Sequence, residues 1–530
     1  MFLFFARLGS SQCEIEITNY NGDVISPDNY STNTECFKIK SKNCQNVRVT
    51  PEQDISHGIY EAGTYIIAAQ GTESEENNVS ITVTINTVPV KDRNYYYIIN
   101  HCGTFPVITS FFYVIFNLTN NIKGEFQIGR PNTFNFTKIK ENYPHAQYFL
   151  ENGEAEHTFH YIQKIAHEDP NAYFHVRVDD IRIGQPFFWL LNQGIHQSRY
   201  EIHLCSDGTN TYKKFLDFKL NTLEGWNKIA EEFKKFYDQA LIGALNINKK
   251  IANCDIRNWS FIFAAITYPN IYLELSNPEM ITTEEEQLKE TFKKMKMIKI
   301  DILGIINSQP EEKVDYLYEV SKINREEYRK KYFSNYGKKT CFILTTNPVN
   351  ETQIKVFFTR TVKKYSNYTF VAKPHPSAPY SKNLSEWMNN EVKVIPFEGE
   401  QIPAEIIYSA FAGKVKVGGY PTSTFTSVNL DDVLFIYIEK MDKLFPPLDT
   451  FVERKMIKGE LMNFESLVEE YPQCIPSLSP TPSNDKKSKF LKIGVPIISF
   501  VCVAIIVGIV ILVIYFRKHK KVVDESAPQP

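Results

Sequence analysis

An excess of either charge is the first thing this sequence lacks: 59 Lys and Arg stand against 61 Asp and Glu, a formal net charge of −2 over 530 residues. Without a basic surplus the chain has no electrostatic footprint for a polyanion, so nucleic acid is not an expected partner. Zinc-type cysteine patterns are missing too, since no Cys-x-x-Cys pair and no His/Cys cluster has structural-zinc spacing. No internal repeat runs along the chain, which sets aside stacked-repeat architectures. One uncharged run is apolar nearly throughout. Ile493 to Phe516, "IGVPIISFVCVAIIVGIVILVIYF", is 24 residues without a charge, enough to cross a hydrocarbon core of about 30 Å as a helix.

That run predicts a single transmembrane anchor, and its flanks predict its direction. A tail beginning "RKHKK" follows it, whereas eight Asn-x-Ser/Thr sequons, at Asn29, Asn78, Asn117, Asn135, Asn258, Asn350, Asn367 and Asn383, all precede it. The expectation is a type I glycoprotein of the plasma membrane or Golgi, with the bulk of the chain extracellular or lumenal. The start, "MFLFFARLGSSQC", resembles a very short signal peptide with small residues near a cleavage point. Such a compartment is oxidising, and Cys13, Cys36 and Cys44 lie close enough in sequence for a local disulfide. Cys205, Cys254 and Cys341 are expected to be buried free thiols.

Length allows roughly three domains. Residues 13–88 alternate apolar and polar positions in "EIEITN", "CFKIKS", "NVRVTP" and "VSITVTINTV", which predicts a small all-β sandwich. From Tyr95 the pattern changes to apolar runs separated by helical stretches, the mark of α/β organisation around parallel strands. One lobe is expected over 94–310, a helical bridge over 311–336, and a second lobe over 337–442. A C-terminal helical return (443–473), a Pro/Ser/Lys-rich stalk (474–492), the anchor (493–516) and a cytosolic tail (517–530) complete the chain, with 1–12 as the signal segment. Two α/β lobes on a bridge place a cleft between the carboxyl edges of their sheets.

Polar motifs sit directly after apolar runs, where that cleft should be. "RYEIHL" leads to Ser206-Asp207-Gly208; "YTFVA" leads to Lys373-Pro374-His375-Pro376; "KVKV" leads to Gly418-Gly419 and then Thr422-Ser423. Glu405 opens a helical stretch, "PAEIIYSAF". Proline fixes its own φ and restricts the residue before it, so Lys373 and His375 are held in a stiff turn. Taken singly, each motif also has a plain structural reading as a turn, an exposed carboxylate or a bend.

Their order and separation carry more. From Asp207 it is 168 residues to His375, 30 more to Glu405 and 17 more to Thr422. In this arrangement the stretch from about Tyr95 to Thr450 resembles glycosyltransferase family 80, the bacterial sialyltransferases built from two Rossmann-like lobes of GT-B type. The resemblance implies transfer of sialic acid from CMP-sialic acid to a glycan hydroxyl with inversion. The first lobe would serve the acceptor and the second the nucleotide, and no metal or other cofactor would be needed. By the same resemblance Asp207 is the general base, and His375 is acid and phosphate clamp together with Lys373. Gly418, Gly419, Thr422 and Ser423 would form the phosphate loop, and Glu405 would accept the ribose hydroxyls. Ser206, Pro374 and Thr422 depart from the family pattern in ways that keep the chemistry. Arg182 falls where the family has a donor-side histidine, and Val349 where it has a tryptophan that stacks on the acceptor, so the acceptor is left open, and with it whether the donor is sialic acid or a related acid sugar.

Two other readings follow from the same residues. Asp179-Asp180 at the end of "HVRVDD" has the form of a metal-binding acidic pair in a metal-dependent transferase that uses another nucleotide sugar. A non-catalytic surface protein that binds sugar in a transferase-like cleft would suit the sandwich, stalk and anchor.

Overall fold

The computed structural model describes residues 13–19, 24–25, 31–32, 36–52, 60–61, 63–71, 79–85, 90–101, 103–150, 155–180, 186–193, 195–241, 265, 270–333, 339–346, 350–376, 378–399, 401–438, 448–457 and 459–463. All belong to the first of two compact units, Met1–Leu467. The predicted signal segment, stalk, anchor and tail lie outside the described residues, as do Asn29, Asn78, Asn258, Cys254, Arg182 and Val349. Among the described residues no helix is long and apolar enough to cross a membrane.

The N-terminal strands are β1 (Glu14–Asn19), β2 (Ser31–Thr32), β3 (Cys36–Lys42), β4 (Cys44–Thr50), β5 (Tyr60–Glu61), β6 (Gly63–Gly71) and β7 (Val79–Ile85). They form two small, mainly antiparallel sheets, ordered β1-β3-β5 and β2-β7-β6-β4. Alternation puts Ile17 and Phe37 of one sheet against Tyr65, Ile67, Val83 and Ile85 of the other. Cys13 and Cys44 form the local disulfide.

The first lobe is a seven-stranded sheet of β8 (Asn94–His101), β9 (Lys123–Ile128), β10 (Ala146–Phe149), β11 (Ala172–Asp179), β12 (Tyr200–Cys205), β13 (Ile271–Leu275) and β14 (Met297–Lys299). Its order is β10-β9-β8-β11-β12-β13-β14, parallel throughout. The second lobe is a six-stranded parallel sheet of β15 (Lys339–Leu344), β16 (Tyr368–Lys373), β17 (Val394–Pro396), β18 (Lys416–Gly419), β19 (Val433–Ile438) and β20 (Glu460–Asn463). Helices cover these sheets, so their central strands are buried on both faces; every residue of β11 is buried.

The bridge is two helices, Glu311–Val320 and Arg325–Tyr332. Leu317, Tyr318 and Tyr332 join one apolar core that also holds Phe111 and Phe126 of the first lobe and Phe342, Phe397 and Phe411 of the second. The expected helical return over 443–473 is corrected in part. Helix Leu448–Glu453 is followed by β20, which pairs with β19 and extends the second sheet beyond residue 442. A four-residue edge strand reading "ELMN" has neither the length nor the β-branched content that marks a strand.

Candidate active site

An open parallel sheet offers a ligand crevice where its strand order reverses, outside the carboxyl ends. That point lies between β8 and β11 in the first lobe and between β15 and β18 in the second. Turns leaving these strands and their neighbours line a single cavity of about 600 Å³. Asp207 faces it from the first lobe; Lys373, His375, Glu405, Thr422 and Ser423 face it from the second.

The Asp207 turn is held by its backbone. Its N–H donates to Thr211 Oγ1 at 3.0 Å and to Asp180 Oδ1 at 3.3 Å, and the Thr211 hydroxyl donates to Asp180 Oδ2 at 2.6 Å. The half-exposed carboxylate accepts from Asn210 Nδ2 at 3.3 Å. Gly208 follows with φ at +66°, and a Cβ there would lie 2.3 Å from Ser423 Oγ. Only glycine fits both the backbone and the space. Ser423 Oγ accepts from the Thr209 N–H at 3.3 Å, so the lobes touch at the cavity wall.

The acidic pair of the metal reading has other partners. Asp179 Oδ1 pairs with His101 Nδ1 at 2.8 Å and its Oδ2 accepts from the Gly103 N–H at 2.8 Å, while Asp180 holds the Asp207 turn. Both carboxylates are fully buried, and neither is among the residues that line the cavity. They position the site rather than face a ligand.

On the second lobe, the Ala378 N–H closes the "KPHP" turn by donating to His375 O at 2.9 Å. Lys373 is buried, and its Nζ donates to Pro374 O at 3.1 Å. Burial, then the charges of Lys373 and Arg130, push the His375 pKa below its ordinary value, so the imidazole is neutral at pH 7. Glu405 is buried at the first turn of helix Ala404–Phe411 and its Oε1 accepts from Thr424 Oγ1 at 2.8 Å. Burial raises its pKa, although its own backbone, Thr424 and Lys373 pull the other way. The buried Thr422 hydroxyl has no hydrogen-bond partner among the described residues. An unmade buried hydrogen bond costs about 1–3 kcal/mol, which a ligand oxygen would remove.

Two expected binding residues have another place. Gly418 and Gly419 lie in β18 and are not among the cavity's lining residues. A Cβ on Gly418 would lie 2.4 Å from the Phe435 ring, and one on Gly419, whose φ is +129°, would lie 2.1 Å from Leu344 O. These glycines let β18 pack between β15 and β19, and so deliver Thr422 and Ser423 to the cavity. Arg130 was not singled out from the sequence, yet it lines the cavity from the turn after β9. "EFQIGR" is an apolar run ending in a charged residue, the same signal that picked out Asp207 and His375. Thr345 and Thr346, after β15, line it as well.

No protein-family model and no curated protein matches the chain. Solved structures do. An α/β-galactoside α-2,3-sialyltransferase from Photobacterium phosphoreum aligns with a TM-score of 0.55 at 15% identity, over 70% of this chain and 99% of its own. A sialyltransferase from Photobacterium damsela aligns at 0.52 and 11%, over 87% and 96%. A 2,6-sialyltransferase from Photobacterium sp. JT-ISH-224, solved with CMP and lactose, aligns at 0.51 and 11%, over 89% and 90%. The chain therefore has the two-lobed fold of these sialyltransferases.

Proposed function

We propose that the protein is an inverting glycosyltransferase that moves sialic acid from CMP-sialic acid to a glycan hydroxyl. One observation carries the reading: a carboxylate from one lobe and a Lys/His/Glu/Thr/Ser set from the other line one cavity at the switch points of two parallel sheets. In the reaction, Asp207 takes the proton of the acceptor hydroxyl as its oxygen attacks the anomeric carbon. The bond from that carbon to the phosphate oxygen breaks, and Lys373 and His375 stabilise the leaving phosphate. Thr422 and Ser423 bind phosphate oxygens, and the Glu405 carboxylate accepts the ribose hydroxyls. Incubating the protein with CMP-sialic acid and assaying CMP release, with and without acceptor sugars, tests this. Nucleotide binding without turnover for any acceptor would instead favour the sugar-binding reading.

His375 gives the reaction a pH signature. An incoming phosphate raises the depressed His375 pKa, so binding takes up a proton, and affinity for CMP rises as pH falls from 7 toward the ordinary histidine range. Binding calorimetry across this range should show a steeper pH dependence for the wild type than for His375→Gln. Identical profiles would remove His375 from the phosphate.

The clamp is built from cations and hydroxyls, and the reaction as proposed uses no metal. Donor turnover is expected to survive a chelator; loss that manganese restores would return the metal-dependent reading.

The proposed setting is a single-pass type I membrane protein. Asn117, Asn367 and Asn383 are exposed and open to glycans; Asn350 is exposed but caps helix Glu351–Lys364 with its side chain, and Asn135 is half-buried and caps helix Phe136–Asn142. Enzymatic removal of N-glycans from the native protein should lower its apparent mass, and Asn135→Gln should leave that shift unchanged. A protein with no mass shift would not have this topology.

A further inference from the structure

Away from the cavity, the first lobe has a second cluster of ligating groups that the proposed reaction does not use. His175 on β11 pairs in register with Glu201 on β12, and His203 is two residues beyond Glu201, so all three share one sheet face. Glu201 Oε1 lies 2.5 Å from His203 Nε2 and 3.7 Å from His175 Nδ1. One nitrogen or oxygen from each residue falls within 4.8 Å of the others. We propose that His175, Glu201 and His203 bind a zinc-class divalent cation that clamps β11 to β12.

Several features support a built site. His203 Nδ1 pairs with Glu274 Oε1 at 2.7 Å, and Glu274 Oε2 accepts from Arg177 Nη2 at 2.5 Å. A carboxylate that fixes one ring nitrogen and so presents the other is the usual outer support of a metal-bound histidine. Aromatic rings hold both imidazoles: Tyr113 stacks on His175 at 4.9 Å, and Tyr272 on His203 at 5.1 Å. His175 is only 8% exposed; the nitrogen 3.7 Å from Glu201 is Nδ1, and its Nε2 has no hydrogen-bond partner among the described residues.

The fit can be judged by distance. Zinc bonds of about 2.0–2.1 Å in a tetrahedron put ligand atoms roughly 3.3 Å apart. The 2.5 and 3.7 Å separations from Glu201 bracket that value, and the two imidazoles, whose ligand atoms lie within 4.8 Å, must close on the ion; Glu201, the most exposed of the three at 29% of its side chain, has room to adjust. Access is through Glu201, and water completes the coordination. Two imidazoles and one carboxylate select zinc, cobalt, nickel or copper over calcium and magnesium, which prefer oxygen cages. β11 ends on Asp179 and β12 leads into the Asp207 turn, so the clamp would brace the strands beneath the cavity without touching it.

Cobalt is the probe. Full-length, untagged protein, stripped by chelator and rebuffered, should bind one equivalent of Co²⁺ with the visible absorption of a four-coordinate site, and zinc should displace it. Glu201→Gln, at a half-exposed position that leaves the core intact, should weaken binding at least 10-fold, and His203→Gln should abolish the spectrum. Glu274→Gln should cost about 10- to 100-fold, the usual effect of losing an outer partner. Zinc should also raise the melting temperature of the wild type, and by less at the same concentration in Glu201→Gln. Absence of the cobalt spectrum, or an equal spectrum and affinity in Glu201→Gln, would overturn the site, whatever the transfer assay shows.

Discussion

Asp207→Asn is expected to lower sugar transfer by about 10²- to 10⁴-fold, the usual worth of a positioned general base, while leaving CMP affinity nearly unchanged. The substitution keeps size and shape and removes only the ability to take a proton. Its local frame should survive, because Asp180 and Thr211 hold the turn through the Asp207 backbone N–H rather than its side chain. The new amide can still offer an oxygen to Asn210 Nδ2. Nucleotide contacts are assigned to the opposite lobe, so Glu405→Ala should show the reverse pattern, with CMP affinity falling first. That variant also strands the Thr424 hydroxyl, so its thermal stability must be measured beside its affinity. Turnover of Asp207→Asn within threefold of wild type, in a folded protein, would mean that another group takes the proton.

The cavity was legible because buried parallel strands read as near-continuous apolar runs, and the residue that ends such a run lies at the carboxyl edge where ligands bind. Asp207, Lys373 and His375 follow directly from that rule, and Arg130 would have done so had it been applied to β9. Gly418 and Gly419 show its limit. They occupy the right place in the chain, but the atoms that demand glycine there, the Phe435 ring and Leu344 O, come from neighbouring strands that sequence order does not reveal. The His175, Glu201 and His203 cluster was invisible for a related reason, since strand register alone brings His175 opposite Glu201. β20 was missed because four residues at a sheet edge need little hydrophobicity to pair.

The buried charges beneath the cavity carry the other large effect. Arg177 is 3% exposed; it donates to Glu274 Oε2 at 2.5 Å and to Ser110 Oγ at 3.0 Å, and its guanidinium sits 4.7 Å from the centre of the Tyr113 ring. Ser110 Oγ lies 2.6 Å from His101 Nε2, and His101 reaches Asp179, which fixes the Gly103 N–H at the cavity wall. Arg177→Met keeps the stem's bulk but leaves Glu274 buried beside His203 alone, and should cost about 3–5 kcal/mol. Replacing both partners, as Arg177→Met with Glu274→Leu, should cost less than the single change, because no uncompensated carboxylate then remains. Burial by itself would raise the Glu274 pKa, but Arg177 and His203 hold it down at about 2. A depressed carboxylate stabilises the fold above its unfolded pKa, and that contribution is lost as pH falls through the folded value. Wild-type stability should therefore decline between about pH 4.5 and pH 2, and the slope should be shallower in Arg177→Met, where Glu274 already protonates more readily. Denaturant unfolding of the wild type and both variants at pH 7 and at steps from about pH 4.5 down to about pH 2 measures this. A single variant within 1 kcal/mol of wild type, or a double variant worse than the single, would show that the pair does not stabilise the strands that end on Asp179 and lead to Asp207.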